Sequence, residues 1–316
     1  MKRLFAIAAL VALVFGGAWA LGEWLDRGQP PAVPERPEGV ARVVVPVRDC
    51  GRIVSLAPSV TETLFALGLG GQVVGVTRYC KFPAEVSELP SVGGYFDPNY
   101  ELMIALRPSL VVLLPGLDEH RQRLADLKFA TIEANQESVP EILKSIETLG
   151  ATCGAAERAQ ELVAELRTRQ EEIAGKVVGL PRPGVLIVVD REMGAGRIRD
   201  LYIAGRGTFY DDLLTTAGGT NVYDGKLIQY PTLSLEGLLR VNPQVIIEIV
   251  PQLHERELTA AVIRKDWDLV PSLNAVQENR IHVLAESYAA VPGPRYVKLL
   301  EDMARVIHPE ADWGPL

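Results

Sequence analysis

Short apolar runs alternating with helix signals constrain this chain's fold more than any other feature. Arg52-Ile53-Val54-Ser55-Leu56 reads as a strand, and Pro58-Ser59-Val60-Thr61-Glu62 supplies Ser/Thr capping chemistry for a helix that Gly68 ends. Val73–Val76 is the next extended run. A helix over 99–106 leads through Pro108 into a strand at Leu110–Leu114, and a helix near 118–127 leads into Ala130–Glu133. Repeated strand, helix, strand order predicts a parallel sheet with helices on its faces, so the first lobe is α/β.

The pattern then changes. Between Ala155 and Val177, the residues Ala155, Ala159, Leu162, Val163, Leu166 and Ile173 fall on one stripe while Glu, Arg and Gln fill the other, which predicts one long amphipathic helix. About 22 helical residues reach ~33 Å, roughly the width of a small lobe. Gly179–Gly184 marks the entry to a second lobe, where the cycle resumes. Its predicted elements are strand Val185–Val189, an excursion through Tyr202, a helix from Thr208 ended by Gly218-Gly219, a helix from Ser234, strands Val245–Val250 and Ile281–Leu284, and a closing helix Val297–Ile307. The predicted organisation is an N-terminal α/β lobe over 50–154, a helix over 155–177 and a C-terminal α/β lobe over 178–316.

One segment recurs in both lobes. Glu101 and Glu236 each stand seven residues before a proline, Pro108 or Pro243, that opens an apolar run. The match predicts one structural unit used twice, each copy presenting a carboxylate. A chain of two like lobes works at the cleft between them, and the cleft is where a ligand is expected.

With 316 residues, 48% apolar and 23% charged, the chain is long enough for two ordinary domains with real cores. Lys2 and Arg3 precede a charge-free apolar stretch from Leu4 to Gly22, so residues 1–22 are read as a signal peptide or an N-terminal membrane anchor. Ala18-Trp19-Ala20 fits a signal-peptidase site, and cleavage is the favoured reading, although the stretch is long enough to span a bilayer uncleaved. No Cys follows closely enough for lipoprotein processing. Residues 23–41 form a Pro-rich linker, expected to be extended and exposed. The 40 acidic residues outnumber the 32 basic ones, which argues against nucleic-acid binding.

An exported protein with three cysteines leaves at least one over. Cys50 before the first strand and Cys80 after the second fall at opposite ends of parallel strands, so they are not expected to pair, and Cys153 beside Gly154 shows no evident partner. CxxC spacing is absent, and His120, His254, His282 and His308 are scattered as surface or packing residues. No Gly-rich phosphate loop or GxSxG elbow appears, and Gly194-Ala195-Gly196 lacks the pattern that would follow one. The chain reads as non-catalytic, without a resident cofactor or metal.

Ser55-Leu56-Ala57-Pro58-Ser59-Val60-Thr61-Glu62, Val73–Thr77, Phe82-Pro83, Leu89-Pro90-Ser91-Val92-Gly93-Gly94 and Leu106–Val112 follow one another in order. Gly207-Thr208-Phe209, Ala217–Val222, Ser234-Leu235-Glu236, Asn242-Pro243 and Gly293-Pro294-Arg295 continue the succession. It resembles the periplasmic binding proteins of ABC importers for cobalamin, ferric siderophores and haem, over roughly residues 50–307, and is most similar to the cobalamin-binding members. No single motif is decisive; order and spacing together carry the likeness.

The resemblance implies two α/β lobes with mostly parallel sheets, joined by one long rigid helix, with the ligand in the cleft between them. It implies a periplasmic monomer whose partners are a small-molecule metal chelate, cobalt- or iron-containing, and an inner-membrane ABC permease dimer. The family docks arginines of the permease on one exposed Glu per lobe, and Glu101 and Glu236 fall on those positions. Tyr79, Tyr95 with Phe96, and Tyr230 line up with places where cobalamin receptors put aromatic rings; Tyr202 matches less closely. Tyrosine suits a flat macrocycle because it joins a large apolar face to a polar edge.

Arg78, Arg197 and Arg295 are the nearest cations for a negatively charged siderophore, and Arg295 is retained as a ligand candidate. Tyr79 or Tyr95 would serve as an axial side chain if the ligand were haem. The chain departs from some cobalamin receptors in having Ala289-Ala290-Val291 where they carry an acidic–basic pair before the final helix. A receptor for bare zinc or manganese would need His/Asp/Glu ligands from both lobes, and a metal-cluster or chelatase enzyme would need converging Cys/His ligands or a paired acid and base. Both are alternatives to a chelate receptor.

Overall fold

The computed structural model describes residue 47 and residues 49–314, apart from 195, 226, 252 and 254–257. The expected export segment 1–22 and linker 23–41 lie outside the described residues. Residues through Asn135 together with Ala151–Ala155 form one compact unit, and Gln136–Gly150 together with Ala156 onward form another.

The first unit is built on a four-stranded parallel sheet of order β2-β1-β3-β4, with β1 Ile53–Ser55, β2 Val73–Val76, β3 Leu110–Leu113 and β4 Thr131–Glu133. Every residue of β3 is fully buried, as expected for a strand covered on both faces. Helices α1 (Pro58–Ala66), α2 (Tyr100–Leu106) and α3 (Asp118–Asp126) connect the strands. Val54, Val111 and Leu113 of the sheet pack with Met103 of α2 and Leu124 of α3 into one core cluster.

Helix α1 departs from the predicted start. Pro58 opens the helix, because a first-turn residue needs no N–H partner, and no side chain caps it. Ser59, Thr61 and Thr63 therefore lie inside the helix, buried. The Thr61 hydroxyl donates to the Ala57 carbonyl at 3.1 Å and meets the Ser55 hydroxyl at 2.8 Å, and that of Thr63 donates to the Ser59 carbonyl at 2.8 Å.

Cys153, for which the sequence offered no partner, is bonded to Cys50, with Cα atoms 5.3 Å apart. It sits in the turn between α4 (Val139–Thr152) and α5 (Ala156–Val177), where Gly154 takes φ +73°. That turn returns the chain to the segment before β1, a proximity set by tertiary folding and invisible in local spacing. Cys80 is free and buried, with Thr61 and Thr77 hydroxyls within 3.2 Å of its sulfur, and burial pushes its thiol pKa up.

The second unit carries a mixed sheet of order β10-β9-β5-β6-β8, with β7 also pairing β5. The strands are β5 Gly184–Asp190, β6 Leu201–Ile203, β7 Thr220–Asn221, β8 Thr232–Leu233, β9 Val245–Ile249 and β10 Ile281–Leu284. Strands β5, β7, β9 and β10 are parallel, whereas β6 runs antiparallel to both β5 and β8. The helices are α4 and α5, then α6 Phe209–Thr216, α7 Leu235–Val241, α8 Ala260–Asp266, α9 Asn274–Gln277 and α10 Tyr296–Ile307. Helix α5 packs along α10, where Arg169 pairs with Glu301 and the Tyr296 hydroxyl donates to Gln170 at 3.0 Å.

One charge is sealed into this core. Glu248 interrupts the apolar run of β9 and is 0% exposed. Arg191, immediately after β5, meets it with two parallel bonds of 2.8 and 2.9 Å. The remaining guanidinium hydrogens go to Asp266 at 2.8 Å and to the carbonyls of Glu192 and Ile263. All five N–H donors are thus engaged. The Trp267 indole N–H also donates to Glu248, and its ring lies 5.4 Å from the guanidinium. Burial alone would lower the Arg191 pKa, but Glu248 and Asp266 outweigh it and hold the pKa above the ordinary value.

Two outcomes are expected. Arg191→Met, which strands two buried carboxylates, should cost about 3–5 kcal/mol in urea unfolding, and a loss under about 1 kcal/mol would count against the cluster as a structural element. The Cys50–Cys153 bond closes a loop spanning 103 positions, so replacing both cysteines by Ser should cost up to about 4–5 kcal/mol. Reductant should lower the unfolding midpoint of the parent chain and leave that variant unchanged.

Candidate functional site

Strands β1, β2 and β3 end side by side at Ser55, Val76 and Leu113, and their following loops gather at the carboxyl edge of the first sheet. Open α/β sheets place ligands at this edge. Tyr79 follows β2, and the segment carrying Tyr95 and Phe96 is drawn to the same place. The Arg78 N–H bonds to the Gly93 carbonyl at 2.9 Å, and Gly93 and Pro98 form a bridge. Gly93 takes φ +92°, and a Cβ on it would stand 2.5 Å from the Asp97 carbonyl, so this tight turn requires glycine.

The two neighbouring aromatics differ in burial. Tyr95 is 2% exposed and its hydroxyl donates to the Pro115 carbonyl at 3.4 Å, whereas Phe96 is 43% exposed and meets the Tyr95 ring edge-on with centroids 5.2 Å apart. Burial, with Glu133 nearby, pushes the Tyr95 phenol far above its ordinary pKa. Tyr95 thus packs behind Phe96, with its hydroxyl engaged by a backbone carbonyl. Tyr79 is half-buried beneath the Arg78 guanidinium, 5.6 Å from its ring centroid. Phe82, which the sequence reading did not select, is 44% exposed in the same loop.

In the second unit, the excursion through Tyr202 proves to be strand β6, in which Tyr202 pairs with Asp190 and Thr232. Its strand runs antiparallel to β5, which places it on the sheet. Tyr230 immediately precedes the residues that pair with β6: the Gly205 N–H bonds to the Gln229 carbonyl at 2.7 Å, and a Cβ on Gly205 would approach that oxygen to 2.9 Å. Tyr230 is half-buried as a residue and its hydroxyl is buried. Burial, reinforced by Tyr210 and opposed by Thr208, raises its phenol pKa well above the ordinary value. Tyr230 therefore keeps its proton.

The candidate cations have local partners. Arg78 makes a fork to Asp97 with bonds of 2.6 and 3.2 Å, and Arg197 pairs with Glu192 at 2.6 Å. Arg295 lies over the Tyr288 ring at 5.5 Å and donates to the Ser287 hydroxyl at 3.3 Å. The first two pairs are roughly half exposed, and such pairs contribute only ~0–1 kcal/mol. Among the described residues, no three His, Cys, Asp or Glu side chains gather into a metal-binding group.

Glu101 and Glu236 occupy equivalent positions. Each is the second residue of a seven-residue helix, exposed, behind a capping side chain: Asn99 accepts the Leu102 N–H at 2.9 Å and Ser234 the Gly237 N–H at 3.2 Å. Two positions after each acid comes a residue with 0% exposure, Met103 or Leu238. Six positions after comes a left-handed residue, Arg107 at φ 48° or Asn242 at φ 39°, and then the proline that leads into β3 or β9. A residue before proline is excluded from the right-handed helical region, so each helix ends there. Arg52 seals the first at the Leu106 carbonyl with bonds of 2.7 and 2.9 Å, and the Asn242 side chain accepts the Asn274 N–H at 2.9 Å beyond the second.

Comparison with known proteins agrees with this architecture. The chain is 28% identical over 268 residues to the uncharacterised ABC transporter substrate-binding lipoprotein YvrC of Bacillus subtilis, covering 82% of this chain and 80% of that protein. It is 24% identical over 254 residues to the vitamin B12-binding protein of Vibrio cholerae, covering 80% and 87%. A periplasmic haem-binding protein from Pseudomonas aeruginosa superposes with a TM-score of 0.71 at 25% identity, over 84% of this chain and 95% of that one. Residues 53–288 match the family description of a periplasmic binding protein, and with the duplicated α/β units they show that the chain belongs to that family.

Proposed function

We propose that the chain captures an intact metal chelate, cobalamin-like or a ferric siderophore, outside the cytoplasm and delivers it to an ABC importer permease. The observation that carries this reading is the set of aromatic residues that follow β2 at the carboxyl edge of the first sheet, with Phe96 and Phe82 exposed, Tyr79 half-buried and the buried Tyr95 ring packed edge-on against Phe96. Exposed aromatic faces backed by a packed ring suit a large, flat, partly apolar ligand. Tyr202, Tyr230 and Arg295 are the second unit's candidate contacts. The vitamin B12-binding and haem-binding relatives support a chelate as cargo, and the Cys50–Cys153 bond suits an oxidising compartment.

Glu101 and Glu236 are proposed as permease contacts. They are exposed on equivalent helices, and their role is registration more than affinity, since an exposed ion pair contributes at most ~1 kcal/mol. Haem is the second reading, with Tyr79 as the phenol in question, because Tyr95 is buried and bonded to a backbone carbonyl.

Titration of the purified chain with cyanocobalamin, haemin and ferrichrome should show submicromolar binding of one of them, followed by fluorescence or absorbance. Phe96→Ala and Tyr79→Ala should each weaken that binding by roughly tenfold or more. Binding of free zinc or manganese alone, or turnover of the chelate, would overturn the receptor reading. Charge reversal at Glu101 and Glu236 should abolish uptake while leaving the dissociation constant within about twofold; a collapse of ligand binding would move these acids into the pocket.

A further inference from the structure

Three residues after each of the two acids stands a large aliphatic side chain exposed to solvent: Ile104, 49% exposed, after Glu101, and Leu239, 46% exposed, after Glu236. Residues three apart share a helix face, so acid and aliphatic side chain form one patch on each helix. The next position inward, Met103 or Leu238, is fully buried and anchors the helix to its own core. Exposure alone is unremarkable, since Val178, Leu227 and Leu269 are also open. The same chemistry at the same place in both copies of a duplicated unit is different. Nothing in folding either unit calls for an apolar side chain there, because the face is solvent.

We infer that Ile104 and Leu239 are docking side chains, each seated in an apolar socket of the permease beside the basic residue that meets the neighbouring acid. This rests on the reading of Glu101 and Glu236 as permease contacts. A patch of one composition presented twice fits a partner that offers one socket twice, which is the property of a two-fold dimer. The division of labour is physical: the acid gives orientation and is weakened by salt, while the aliphatic side chain loses water on contact and gives a contribution that salt does not screen.

The test uses the full chain loaded with whichever of cyanocobalamin, haemin or ferrichrome it binds, and its cognate permease complex in phospholipid nanodiscs. A benzophenone maleimide is placed on a cysteine introduced at 101, 104, 236, 239 or, as an exposed apolar control, 178. Cys80 is buried and Cys50 and Cys153 are bonded to each other, so the new thiol is the one labelled. Light-induced adducts with the permease from positions 104 and 239, absent from 178, are expected. Ile104→Ser with Leu239→Ser should weaken association at least about tenfold at both low and high salt, whereas the loss caused by Glu101→Gln with Glu236→Gln should shrink at high salt. Adducts from 101 and 236 but not from 104 and 239 would overturn this inference and leave the acids as contacts. No adduct from any of the four would overturn both readings, and equal adducts from 178 would show that labelling at this face is unspecific and remove its support.

Discussion

A guanidinium removed from water is tolerable only where every N–H finds an acceptor and the charge finds a counter-charge. Arg191 meets both conditions through Glu248, Asp266 and two backbone carbonyls. The geometry ties the ends of β5, β9 and α8 at one point. The Gly194 N–H also donates to Asp266 at 2.7 Å, so the cluster fixes the start of the segment that carries Glu192 and Arg197 and then enters β6 with Tyr202. The segment that leads from β5 into β6 is thus anchored at its start by a buried ion cluster. A hydrophobic replacement could fill the volume, but it would not direct the loop.

The first unit solves the same problem by covalent and steric means. The disulfide pins the chain entering β1 to the turn between α4 and α5, and the turn at Gly93 brings the Tyr95–Phe96 segment to the loop after β2. Phe96 and Phe82 can then stay exposed without the loop collapsing on them. Exposed rings at the carboxyl edge gain from burial only when something enters, which is the energetic condition for a receptor.

The parallel order, the long helix and the duplicated acid units were readable from sequence because each rests on local signals: apolar periodicity, a cap, a proline. The Cys50–Cys153 pair was not, since it depends on how the chain returns after 103 positions. Tyr95 and Phe96 are adjacent and chemically alike, and only the packed fold decides that the first turns inward. Tyr202 read only as part of an excursion, because β6 has three residues, too few for a periodic signal, and runs antiparallel among parallel strands. A signal for the ion cluster was present: Glu248 inside Val245-Ile246-Ile247-Glu248-Ile249 is an acid in a run otherwise suited to a doubly covered strand. An acid there demands a basic partner, and Arg191 stands at the end of the neighbouring strand.

The left-handed residues Arg107 and Asn242 have a consequence of their own. A non-glycine residue in that conformation costs about 1 kcal/mol, yet each stands directly before proline, where the helix cannot continue. Both helices are therefore cut to a length set by a chemical stop and a side-chain start, and the strand that follows is buried and cannot slide. The interval from acid to proline acts as a ruler: one added residue would swing the acid and its aliphatic neighbour by about 100° around the helix axis. Sequence on this face can drift, but its length cannot.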